Sequence, residues 1–337
     1  MGVALCLLSA AGFGAMAIFG KFAYAADVSP GALLLVRFGL AAVLLWLLLF
    51  LRPALRRGPA DAERGAGGMT FALLVTALGL GAVGYATQAS LYFSALEIMD
   101  ASVLALIFYT YPLLVTLGAV LLGRDRLTPG RCAALIAASG GTLLVLLGTG
   151  EVDVNPLGAA LAFGTAVSYT LYILVADTVV HRLPPVVLAA LVMTGATLTL
   201  SGRALMTGGV DLGFGWSGWF WLACIAVVST VVAMLTFFAG LRRTGPSTAA
   251  ISSTFEPVVT TALAALTLGE ILTPLQLTGG LLVLSSVAVL QLRRGRAERP
   301  GAVPGPDVEP LHQPVTVGAA HAPINANASP PVAQSRC

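Results

Sequence analysis

Short polar joints divide the chain into apolar blocks of roughly 18 to 25 residues, and that spacing constrains it more than any other feature. A helix rises about 1.5 Å per residue, so a block of some twenty residues crosses about 30 Å of hydrocarbon with its backbone groups bonded inside the segment. Composition agrees, since 57% of the 337 residues are hydrophobic and only 10% are charged, whereas a soluble domain carries about 25%. No water-soluble core could hide that much apolar surface.

The blocks fall at 2–20, 31–51, 69–91, 101–122, 132–147, 157–176, 185–205, 216–240, 247–268 and 275–292, which predicts an all-α membrane protein with ten transmembrane helices. The first block lacks the basic start and small-residue cleavage site of a secretory signal, so it counts as a span. Beyond Arg293 the composition turns to Pro, Ala, Gly and Val, with Pro300, Pro304, Pro306 and Pro310 among the residues that deny a helix. That tail is expected to be disordered.

Charge sets an expected orientation, because short cytoplasmic loops retain Arg and Lys. Arg52, Arg56, Arg57 and Arg64 follow the second block, and Arg124, Arg126 and Arg131 follow the fourth. Arg182 follows the sixth, Arg242 and Arg243 the eighth, and Arg293, Arg294, Arg296 and Arg299 the tenth. With ten spans all of these fall on one side, and both termini are cytoplasmic. The other side holds Glu97, Asp100, Glu151, Asp153, Asp211 and Glu270, with Lys21 and Arg203 as its basic exceptions.

The chain also repeats. Residues 92–129 align without a gap on residues 237–274 at an offset of 145, pairing Phe93 with Phe238, Ser102 with Ser247, Pro112 with Pro257, and Leu127-Thr128-Pro129 with Leu272-Thr273-Pro274. Each unit holds an odd number of spans, so the second must enter the membrane upside down. Acidic Glu97 accordingly aligns with basic Arg242, and Arg126 with neutral Ile271. The expected organisation is two inverted five-helix repeats, 1–150 and 151–295, followed by a cytoplasmic tail at 296–337.

Several residues are candidates for a transport site. Glu256 stands ten residues into the ninth block, about 15 Å along a helix and so near the bilayer midplane. A carboxylate there must be protonated, paired or facing water. It reads either as a substrate contact or proton carrier, or as a protonated group bonded to neighbouring backbone. Ser252, Glu256 and Thr260 recur at helical spacing and suggest one polar stripe. Pro257 cannot donate to the Ser253 carbonyl, nor Pro112 to that of Phe108, so both helices are expected to kink. The repeat makes Tyr111 the counterpart of Glu256, which would bring the two toward a common cavity. Arg37, about 10 Å inside the second span, is placed either to snorkel outward or to neutralise a carboxylate. A structural or gating role is favoured over direct substrate contact, although it belongs with the site residues. Tyr85, Gln88 and Tyr92 form one i, i+3, i+7 stripe, and Thr165, Tyr169 and Tyr172 a similar one. Such stripes suit a cavity wall or interhelical packing equally.

Other signals are decoys. The G-x-G-x-x-G at residues 79–84 lies inside an apolar block without a βαβ context and is expected to serve close helix packing. His181, His312 and His321 lack clustered partners, and Cys6, Cys132, Cys224 and Cys337 are scattered singly, so neither a metal site nor a disulfide framework is expected. No P-loop or other cofactor motif and no basic stripe for nucleic acid appears.

Three further runs carry a family likeness: PGALLLVRF at residues 30–38, FEPVV at 255–259, and LGEILTP at 268–274 with the following Gly279. In their order across ten spans they resemble the EamA-type transporters of the drug/metabolite transporter superfamily, over nearly all of residues 1–292. The resemblance implies alternating access through a central cavity and, most often, export of amino acids or related metabolites. Two departures stand out, namely Gly123-Arg124-Asp125 where the family often has Gly-Glu, and the proline-rich tail. The resulting expectation is a non-enzymatic secondary transporter of a small molecule in a bacterial inner membrane, monomeric or homodimeric, with proton coupling through Glu256 open. A sugar or nucleotide-sugar carrier is the alternative and would call for more basic residues at the cavity. A lipid-modifying enzyme would need a cluster of catalytic groups at one interface. A scaffold would have no need of Glu256 and the mirrored prolines.

Overall fold

The computed structural model describes residues 1–56, 70–96, 98, 101–126, 128–147, 155–268 and 273–297. The expectations for Arg57, Arg64, Glu97, Asp100, Glu151, Asp153, Glu270 and the tail from residue 298 lie outside the described residues.

Every regular element among the described residues is helical. α1 (Gly2–Tyr24) is followed by α2 (Pro30–Leu51), whose start is fixed by Pro30 in the first turn and by the Ser29 hydroxyl accepting from the Ala32 amide at 3.2 Å. A 3₁₀ turn (Pro53–Arg56) closes that region. α3 (Phe71–Gly79) runs through a π segment (Leu80–Tyr85) into α4 (Ala86–Leu96). α5 (Ala101–Phe108) and α6 (Tyr111–Leu121) are separated by a two-residue turn, and α7 (Pro129–Leu147), α8 (Pro156–Val180) and α9 (Pro185–Met206) follow. α10 (Trp216–Ala226) passes through a second π segment (Val227–Val232) into α11 (Ala233–Thr244). α12 (Pro246–Ser253) and α13 (Glu256–Leu268) form a second interrupted pair, and α14 (Pro274–Ala297) comes last.

Among the described residues, eight stretches are long and apolar enough to cross a membrane, including Gly2–Tyr24, Phe71–Tyr92, Pro156–Val180 and Trp216–Thr244, while Tyr111–Leu121 is a shorter apolar helix. The chain is a multi-pass membrane protein. Large apolar side chains such as Phe50, Phe71, Leu121, Leu205 and Leu266 face outward, as a surface bathed in hydrocarbon allows.

Lipid tails are as apolar as leucine, so helix association here rests on close packing and polar contacts rather than on hydrophobic exclusion from water. α7 and α14 lie together most extensively. A methyl group on Gly141 would sit 2.7 Å from the Gly279 carbonyl oxygen, and one on Gly279 would sit 2.6 Å from that of Gly141, so both backbones come within reach only because neither carries a side chain. Within the G-x-G-x-x-G stretch the expected packing role falls to Gly81 and Gly84, whereas a methyl on Gly79 would meet open space. A methyl on Gly81 would run into the Val192 carbonyl of α9, and one on Gly195 of α9 into the Leu78 carbonyl.

Candidate functional site

Two helix breaks build the centre of the molecule. Pro112 and Pro257 have no amide hydrogen, and their rings exclude the carbonyl four residues earlier. The kinks expected at these prolines are full interruptions. The last turns before them tighten, with Thr110 N bonding Ile107 O at 3.1 Å and Thr254 N bonding Ile251 O at 3.3 Å. Each threonine hydroxyl takes the same carbonyl as its own amide, at 2.7 and 2.6 Å, so the hydroxyl is satisfied within the broken turn itself. Tyr111 and Glu256, 145 residues apart, become the first residues of new helices. A helix N-terminus carries partial positive charge and suits a carboxylate such as Glu256.

Arg37 does not snorkel. It is 4% exposed, its guanidinium donating from Nε to the Thr230 hydroxyl at 3.1 Å, from Nη2 to the Tyr85 hydroxyl at 2.9 Å and from Nη1 to Met16 Sδ at 2.7 Å. It also lies 4.6 Å from the centroid of the Phe38 ring. Tyr85 closes one π segment and Thr230 lies in the other, where its hydroxyl donates to the Ile225 carbonyl five residues back at 3.0 Å. π turns are rare inside α-helices and concentrate at functional sites. Nothing in the apolar spacing of these spans foreshadows them, because a single wide turn leaves the hydrophobic pattern almost unchanged.

Aromatic rings connect this arginine to the broken helices. Phe38 meets Tyr85 edge-on at 5.2 Å, Tyr85 meets Tyr172 at 5.5 Å, and Tyr172 stacks on Tyr169 at 5.8 Å. Tyr169 meets Tyr111 at 4.9 Å, and Phe108 touches Tyr111, Tyr109 and Tyr92 at 5.1, 5.5 and 5.9 Å. Of the protein's seven tyrosines, only Tyr24 lies outside this array. These spacings fall within the range of favourable ring pairs. The Glu256 carboxyl group has the Tyr109 hydroxyl within hydrogen-bonding reach. Tyr92, Tyr111, Tyr169 and Arg37 lie in the neighbourhood of this carboxyl group.

The structure therefore gathers Arg37, Tyr85, Tyr111, Tyr169 and Glu256. Gln88 is half-buried on α4, and no hydrogen bond of its side chain occurs among the described residues. Ser252 is buried at 0% exposure, and its hydroxyl donates to the Thr248 carbonyl at 2.8 Å, an intrahelical bond. The stripe of Ser252, Glu256 and Thr260 is not one face of a continuous helix, because the break falls inside it. Thr260 turns to α1 and donates to the Gly14 carbonyl at 3.0 Å. Sequence reasoning passed over Tyr109, Phe108 and Thr230. Tyr109 sits in the turn that Pro112 forces, and the tyrosine pair around that proline was its one available signal. At the family departure, Arg124 donates to the Leu174 carbonyl inside α8 at 2.5 Å and lies 3.7 Å from Asp177, while Asp125 pairs with Arg131.

Comparison with known proteins joins this geometry to a family. The EamA-like transporter family matches residues 1–147 and again residues 156–292. The chain belongs to the EamA-like transporter family. That placement fits the drug/metabolite transporter superfamily that the sequence resembles. The uncharacterized transporter YcbK of Bacillus subtilis (strain 168) is 27% identical over 308 residues, covering 88% of this chain and 96% of its own. An uncharacterized transporter of Archaeoglobus fulgidus is 27% identical over 215 residues, covering 64% of this chain and 75% of its own. A crystal structure at 20% identity superposes with a TM-score of 0.72 over 88% of this chain and 98% of that one, a likeness of fold alone. This EamA-like chain is a membrane transporter, as its family and relatives indicate.

Proposed function

We propose that the EamA-like chain is a secondary transporter that exports amino acids or related small metabolites by alternating access. The observation that carries this reading is the buried array of tyrosines running from Arg37 to Glu256 across both helix breaks. A substrate ammonium would face the Glu256 carboxylate, its carboxylate the Arg37 guanidinium, and its side chain the ring faces between them. In this structure those rings pack against one another, so substrate entry requires the broken helices to move apart. Glu256 serves as ammonium contact, proton carrier or both. The stacked Tyr169 and Tyr172 rings, 5.8 Å apart, also suit the face of a sugar and support a sugar carrier as the second reading.

Ten spans in two inverted repeats underlie the proposed motion. Three observations support that organisation. The breaks before Tyr111 and Glu256 lie at the repeat offset of 145, α7 and α14 begin at the aligned prolines Pro129 and Pro274, and one family description matches both halves. The charge pattern supports cytoplasmic termini, and a bacterial-type inner membrane is the location this reading takes.

The deciding experiment is uptake into and efflux from liposomes carrying the purified protein, against a panel of amino acids, sugars and cationic drugs. Saturable movement of amino acids, competed by other members of that class, is expected. Movement of sugars alone would replace the leading reading with the second.

A further inference from the structure

Outside the central site, a groove of about 770 Å³ opens on the outer, apolar surface between α2 and α9. Along α2 its lining recurs at helical spacing from Gly39 through Val43 and Trp46 to Phe50, and α9 contributes Thr197 and Leu198. Val43, Phe50 and Leu198 are 62, 72 and 65% exposed, so the trough presents apolar side chains to whatever surrounds the helices. From Gly39 to Phe50 the groove follows about 16 Å of helix, which matches the roughly 15 Å depth of one leaflet's hydrocarbon. It ends in charge. After Leu51 the Pro53–Arg56 turn brings Arg56 back over the helix end, where its Nε donates to the Leu49 carbonyl at 3.0 Å. That bond uses one of five guanidinium N–H groups. Arg56 also lines the groove, and Arg52 beside it is exposed.

We propose that this groove binds one acyl chain of an anionic phospholipid, with the phosphate held by Arg56. An apolar trough one leaflet deep with a cation at its outer end has the dimensions and polarity of such a lipid. A second copy of this chain fits less well. A two-fold axis through this face would set the same surface against itself and bring the Arg52 and Arg56 clusters together. Trp46, fixed by donation from Nε1 to the Thr194 hydroxyl at 2.9 Å, lines the trough and reports its occupancy.

The test is fluorescence quenching of the full chain in phosphatidylcholine liposomes doped with brominated phosphatidylglycerol or brominated phosphatidylcholine. The Trp46→Phe variant isolates the Trp46 contribution from the other three tryptophans. Half-quenching of Trp46 is expected at a phosphatidylglycerol fraction about fivefold below that needed for phosphatidylcholine. Arg56→Gln should bring the two curves within twofold of each other, with thermal unfolding lowered only slightly, since an exposed residue loses a single bond to the Leu49 carbonyl. Gly39→Leu, which fills the inner end of the trough, should weaken quenching by both lipids. Superposable curves for the two lipids in the wild type would overturn the proposal. Quenching by neither lipid, together with cross-linked dimers through this face, would overturn it in favour of the second copy.

Discussion

Tyr85 and Thr230 stand 145 residues apart and bond the same guanidinium, that of Arg37, at 2.9 and 3.1 Å. The separation equals that between Tyr111 and Glu256, which begin the two helices after the breaks. One cation therefore ties together the two π segments, and a tyrosine array links them to the two interruptions. A helix that already departs from the regular ladder is easier to bend further, so these four places are the expected hinges of any opening.

Arg37 should be irreplaceable by lysine. An ammonium keeps the charge but has no planar fork to reach Thr230, Tyr85 and Met16 together. Arg37→Lys is expected to lower stability by about 1.5–3 kcal/mol, the range for hydrogen bonds to a charged group. It should also reduce transport more than loss of folded protein explains. Thermal unfolding beside initial transport rates on one preparation checks both.

Glu256→Gln should insert and fold normally yet lose at least about tenfold in transport, because the amide keeps the shape while removing charge and protonation. Tyr109→Phe, which leaves the ring contact with Phe108 but removes the hydroxyl beside Glu256, should weaken substrate affinity with little change in stability. Normal rates in a stable Glu256→Gln protein would remove the carboxylate from the site. Wild-type transport that varies with pH, beside a flat and reduced mutant, would assign it proton coupling.

Gly279→Val should be among the most damaging substitutions far from the site. Its Cβ would lie 2.6 Å from the Gly141 carbonyl oxygen and 2.7 Å from the Val145 amide nitrogen, and neither backbone atom can swing aside. Separation of α7 from α14 is expected to cost about 3 kcal/mol or more, visible as low yield and early thermal unfolding.

Topology can be read with reporters. A label after Arg64 or Arg299 should be cytoplasmic, and one near Asp100 or Asp153 external, if the basic joints all lie on one side. An external signal at Arg64 would break the ten-span arrangement.

Much of this protein is set by the chain alone. Block length and composition determine a multi-pass helical membrane protein, because hydrocarbon leaves an isolated apolar segment no alternative to satisfying its own backbone. The repeat singled out Tyr111 and Glu256, and the prolines marked where their helices would fail, since a missing amide is a local fact written in one residue. Tertiary structure decided the rest. Whether Arg37 reaches a lipid interface or a buried hydroxyl depends on Thr230, 193 residues away, and spacing along α2 holds no trace of it. The π segments have the same hydrophobic pattern as α-helix. The break at residues 254–255 separates Ser252 from Glu256, although helical periodicity places them on one face. Sequence fixes what each side chain prefers to touch, but only the packed helices determine which of those preferences are met, and by which partner.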